Sequence, residues 1–123
     1  MGYAREDLAQ AERILTDSSS APRHACYLAQ QAAEKALKSV LVYLQMEYPF
    51  SHNLNLVRDR IPPGWHVKDA HPGLGALSAW VITGRYPTDA PVATVEDART
   101  ACAEARAVLE SVVSDLRDHG FPT

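Results

Sequence analysis

Apolar residues return at three- and four-residue steps along most of this chain, and nowhere alternate with period two for long enough to propose a strand. The pattern is sharpest between Ala25 and Leu41, where Ala25, Leu28, Ala29, Ala32, Ala36, Leu37, Val40, Leu41 and then Leu44 fall along one side of a helix. Its other side carries a polar ladder. Gln30 precedes Glu34 by four residues, Glu34 precedes Lys38 by four, and Gln31 precedes Lys35 by four, so amides, a carboxylate and two ammonium groups share a stripe. Taken alone, such a ladder reads as a solvated face with an ordinary Glu34–Lys38 pair worth about 0.2–0.5 kcal/mol.

Five helical segments are predicted. The first covers about Ala4 to Asp17, with Ala4, Leu8, Ala11, Ile14 and Leu15 inward, and Ser18-Ser19-Ser20 ends it. The second starts at Pro22, whose missing N–H suits a first turn, and runs to about Gln45. Pro49 stops any continuation; His52 to Ile61 is a short third helix with Ser51 as N-cap, and Ile61-Pro62-Pro63-Gly64 leads into a loop over Trp65 to Asp69. The fourth covers about Pro72 to Ile82, ended by Gly84. Thr94-Val95-Glu96-Asp97 opens the last helix with an N-cap and acidic first-turn residues. Its stripe of Ala98, Ala101, Cys102, Ala105, Val108, Leu109, Val112, Val113 and Leu116 is apolar, while Glu96, Arg99, Glu104, Arg106, Glu110 and Asp115 are expected on the solvent side. The expected fold is all-α, an antiparallel four-helix up-and-down bundle with a short additional helix, forming one domain over residues 1–123.

Composition narrows the chemistry. Cys26 and Cys102 lie at apolar-face positions and read as buried thiols, with no Cys-x-x-Cys pair and no metal-ligand spacing among the histidines. No run approaches the roughly 18 apolar residues of a membrane span, so a cytoplasmic protein without membrane contact is expected. A net charge of −3 argues against a strongly basic nucleic-acid module and leaves room for a local basic patch. No Gly-rich phosphate loop, Gly-x-Ser-x-Gly elbow or His-Glu-x-x-His is present. Trp65, Trp80, Tyr3, Tyr27, Tyr43 and Tyr48 are expected as core or dimer anchors.

Three segments in order, Ala25–Leu41 with its AQQAAEKAL core, then Ser51-His52-Asn53-Leu54, then Arg85-Tyr86-Pro87, resemble a HEPN domain, a small helical family named for its presence in higher eukaryotes and prokaryotes. The resemblance spans nearly the whole chain and implies a helical bundle that contacts nucleotides or RNA. HEPN ribonucleases carry an Arg followed after four to six residues by a His on a late helix, pairing a cation for phosphate with a near-neutral acid–base group. The late helix here lacks that pair. Arg60 and His66 match the spacing, but two prolines and a glycine lie between them. The related Arg-x-x-x-x-x-Tyr variant is absent as well, so whether the chain is an enzyme stays open.

The residues expected to contact a ligand are Arg85, Tyr86, His52, Lys38, Lys35, Glu34 and Gln31, with Arg85 and His52 as the candidates for catalysis, and neither metal nor cofactor expected. Each has a structural alternative: His52 as a cap, Arg85 bonded to Glu34 or to helix carbonyls, Tyr86-Pro87 as a packed turn. The resemblance implies a homodimer that pairs with a minimal nucleotidyltransferase subunit in a toxin-antitoxin type module, the companion bringing the catalytic carboxylates and the metal. The alternatives are a metal-independent endoribonuclease with an atypical site assembled across the dimer, and a non-catalytic helical adaptor.

Overall fold

A computed structural model describes residues 1–16, 22–81 and 93–123. It is all-helical among the described residues: α1 (Gly2–Thr16), α2 (Pro22–Tyr43), α3 (Leu54–Asp59), α4 (His66–Ala70), α5 (Gly75–Ser78) and α6 (Val95–Asp118). Three of these are long and three are short. The long ones pack together, with α2 between α1 and α6 and a smaller contact joining α1 to α6. Side-chain contacts fix their directions. Ser39 reaches Met1 and Lys35 reaches Asp7, so α1 and α2 are antiparallel; Arg106 reaches Glu12 while Arg5 and Arg117 line one groove, so α6 is antiparallel to α1 and parallel to α2. In place of a fourth long helix, the described part of the stretch between α2 and α6 carries α3, α4 and α5. The expected fourth segment over Pro72 to Ile82 contributes α5, whose Leu77 is buried beside Leu74, while Ile82 lies outside the described residues.

The core explains the periodicity. Ala4, Leu8 and Ala11 of α1, Ala25 to Leu41 of α2, and Ala98, Ala101, Ala105, Val108 and Val112 of α6 form one buried cluster. Alanine dominates it, and a methyl group lets helix backbones approach closely. Cys26 and Cys102 are free and buried there, as expected; burial pushes their thiols up to about 12 and about 11.

Several boundaries depart from the sequence reading. The N-cap of α3 is Asn53, which accepts from Asn55 N, while Ser51 Oγ accepts from Asn53 N one step earlier. The expected loop over Trp65 to Asp69 contains α4. Its cap comes from afar: Asp115 of α6 accepts from His66 N at 3.1 Å and Val67 N at 2.8 Å. Asp115 is therefore buried rather than on the solvent side, because two amide donors at a helix start satisfy its carboxylate. Thr94 caps α6 as expected, its Oγ1 accepting from Asp97 N and its own N–H donating to Asp97 Oδ2.

The ends of α2 and α6 share one geometry. Met46 N donates to Leu41 O and Gln45 N to Val42 O; Phe121 N donates to Leu116 O and Gly120 N to Arg117 O. The left-handed position of this motif is Gly120, at φ +81°, in α6 but Gln45, at φ 57°, in α2. Phe121 then packs on Tyr43 and Trp65, and Trp65 stacks on His119 at 3.9 Å, which ties the end of α6 to the turn before α4.

Candidate functional site

The polar ladder of α2 is largely not a solvated face. Gln30 is fully buried and Glu34 nearly so, because the chain passing from α2 into α3 crosses this stripe and covers it. Burying an amide and a carboxylate is tolerable only when their hydrogen bonds are met, and here they are. Gln30 Nε2 donates to Glu34 Oε1 at 3.2 Å and to His52 O at 3.0 Å, and Gln30 Oε1 accepts from Gln31 Nε2 at 2.7 Å. Two acceptors facing one nitrogen fix the orientation of the Gln30 amide.

Glu34 anchors two surface groups. Its Oε1 lies 2.8 Å from His52 Nδ1, and its Oε2 accepts from Lys38 Nζ at 3.1 Å. The Glu34 side chain is 8% exposed, that of Lys38 19% and that of His52 55%. Burial works against the Glu34 charge, but hydrogen bonds from His52, Gln30 and Lys38 and the charge of Lys38 outweigh it and hold the carboxyl below its usual range. An ionised carboxylate only accepts, so His52 Nδ1 is the donor of this bond, and the other ring nitrogen, Nε2, is not engaged by Glu34. The result is an oriented imidazole beside an oriented ammonium, both resting on one buried carboxylate.

Of the expected site residues, Gln31, Glu34, Lys38 and His52 meet in this network. Lys35 does not join it. It points toward α1, where its Nζ is 2.6 Å from Asp7 Oδ2. Arg85 and Tyr86 lie outside the described residues. Arg60 and His66 fall at the end of α3 and the start of α4, separated by a turn whose Gly64 has φ +95°. Among the described residues, no group of three or more His, Cys, Asp or Glu could hold a metal ion, and no helix is long and apolar enough to cross a membrane.

The HEPN domain model matches residues 1–116. The chain belongs to the HEPN domain family. No curated protein and no solved structure matches it. Membership supports a role related to nucleotides or RNA. The conspicuous residues of the HEPN network divide by burial: Gln30 and Glu34 build it from inside, and Lys38 and His52 present it.

Sequence reasoning passed over Gln30 as a site residue in favour of Gln31. The four-residue step from Gln30 to Glu34 was the available signal, since it places both on the same side of α2. Tyr48, expected as a core or dimer anchor, is exposed rather than in the core, and Lys38 Nζ lies 5.2 Å from its ring centroid.

Proposed function

We propose that this HEPN domain contacts a nucleotide or RNA through Lys38 and His52, with Arg85 and Tyr86 adding a guanidinium and a ring, as one component of a toxin-antitoxin type module. In this reading the chain forms a homodimer and pairs with a minimal nucleotidyltransferase subunit. The observation that carries the contact is the pair of surface groups anchored on buried Glu34. A cation and an imidazole held without freedom to wander lose little entropy on meeting a phosphate. The supports for a polynucleotide or nucleotide ligand are family membership and this chemistry together.

Two measurements test the reading. Native purification followed by mass determination is expected to return the chain with a nucleotidyltransferase-sized companion; a chain recovered alone overturns the pairing. Fluorescence anisotropy with a short labelled RNA is expected to lose affinity on Lys38→Ala and His52→Ala, and unchanged affinity in both overturns the contact.

The fixed His52 tautomer favours a second reading, a metal-independent endoribonuclease. His52 Nε2 would accept the proton of a ribose 2′-OH as its oxygen attacks the adjacent phosphorus; the P–O5′ bond breaks, leaving a 2′,3′-cyclic phosphate on one product, the departing 5′-oxygen takes a proton from water, and cations would stabilise the charge that develops. Cleavage of RNA in the presence of EDTA that disappears in His52→Ala is the expected result; cleavage surviving that substitution refutes it.

A further inference from the structure

A second feature of the same region lies on the α1 side of the lysines. A cleft of about 520 Å³ opens between the start of α1 and the last turns of α2, lined by Tyr3, Lys35, Lys38, Val42, Tyr43 and Tyr48 among others. Its size falls in the range of about 300–1,000 Å³ typical of small-molecule sites. Its lining combines the apolar surface of Val42 and Tyr43 with two ammonium groups and the rings of Tyr3 and Tyr48. Lys35 and Lys38 are three residues apart on α2 and so project from neighbouring positions.

The arrangement of charge is directional. Each lysine holds one carboxylate, Lys35 with Asp7 and Lys38 with Glu34, yet neither carboxylate lines the cleft. The cleft wall therefore carries both cations and neither of their anions. An ammonium has three donors, and the pairing with a single carboxylate leaves N–H groups to spare on each. The tyrosines are also available: Tyr3 is 76% exposed and Tyr48 42%. Lys35 Nζ is 6.0 Å from the Tyr3 ring centroid and Lys38 Nζ is 5.2 Å from that of Tyr48. A group bound to either ammonium is therefore within one small molecule's reach of an aromatic ring.

We propose that this cleft binds a small anion carrying a planar ring, a nucleoside monophosphate, with its phosphate on Lys35 and Lys38 and its base against Tyr3 or Tyr48. The inference rests on the nucleotide reading above for the choice of ring, and it adds a site that the His52 network does not contain. Lys38 belongs to both, since one of its donors holds Glu34 and its ammonium borders the cleft.

Isothermal titration calorimetry with AMP, GMP, CMP and UMP in low salt tests the assignment, with adenosine and inorganic phosphate as the uncharged and ringless controls. At least one monophosphate is expected to bind at least tenfold more tightly than either control. Tyr48→Leu, Tyr3→Ala and Lys35→Gln alter exposed side chains, and circular dichroism establishes that each variant is folded. Lys35→Gln and at least one tyrosine variant are expected to weaken binding about tenfold, in keeping with the stabilisation a base gains by stacking on an aromatic side chain. Absence of binding by all four monophosphates overturns the cleft. So does binding that is unchanged in Lys35→Gln or in both tyrosine variants. If the cleft fails in either way while short RNA still binds and is weakened by His52→Ala, the nucleotide reading stands without the cleft; if neither monophosphates nor RNA bind, both fall.

Discussion

Removing the charge of Glu34 without removing its volume separates the two jobs of that residue. In Glu34→Gln the retained oxygen still accepts from Gln30 and His52, but an amide NH₂ then faces the Lys38 ammonium, donor against donor. A hydrogen bond to a charged group contributes roughly 1.5–3 kcal/mol, and the partial exposure of Lys38 lowers that because water replaces the lost acceptor. We expect a loss of about 1–2 kcal/mol. Glu34→Ala goes further: it strands an N–H of fully buried Gln30 and leaves a void, which raises the expected loss to about 2–4 kcal/mol. Urea unfolding followed by circular dichroism at pH 7 measures both.

The pH dependence adds an independent check. The Glu34 carboxyl is held below its ordinary value near 4.5, so the unfolded chain binds that proton more readily than the folded one. Its contribution is therefore fully present above the unfolded value and is lost as pH falls through the lower folded value. Glu34→Gln lacks this contribution, so its deficit relative to the parent shrinks as the medium is acidified below about pH 4.5. Equal urea midpoints for the parent and Glu34→Gln at pH 7, or a deficit that does not change with acid, would refute the network as drawn.

Other expectations are simpler. Asp115→Ala deprives two backbone N–H groups of their acceptor and is expected to destabilise the fold by about 1–3 kcal/mol in the same urea assay, whereas a truly solvated aspartate would give a change near zero. Gln45→Gly relieves a left-handed backbone carrying a side chain, so a gain of about 0.5–1 kcal/mol in thermal or urea unfolding is expected; a loss would mean that the side chain does more than tolerate its conformation. Cys26 and Cys102, with thiols at about 12 and about 11, should resist a thiol reagent at pH 8 in the folded protein and react once urea unfolds it. Fast labelling of the folded protein would contradict their burial.

The parts of this fold that are legible in the sequence are those stabilised by neighbours in sequence. The stripes of α2 and α6 appear as apolar periodicity, and the capping box at Thr94 is spelled within four residues. What is illegible depends on distant partners. Helix α4 lacks a side-chain cap of its own at Trp65 and borrows Asp115, 48 and 49 residues away from the amides it serves, so neither the helix nor the burial of that aspartate has a local signal. The site divides the same way. Glu34 with Lys38 follows from a four-residue step, but the link from His52 to Glu34 depends on how the chain turns after α2, and Lys35 is drawn away by Asp7 from another helix.

The alanine-lined seam between α1, α2 and α6 also shapes how the domain responds to heat. A methyl side chain gives up almost no rotamer entropy when it is buried, and it removes little apolar area from water. Both terms in the folding balance are thus small for these positions, and the heat-capacity increment of unfolding, which follows exposed apolar area, belongs toward the low end of about 12–15 cal/mol/K per residue. Calorimetry should accordingly trace a broad, shallow stability curve, one that declines gently on either side of its maximum.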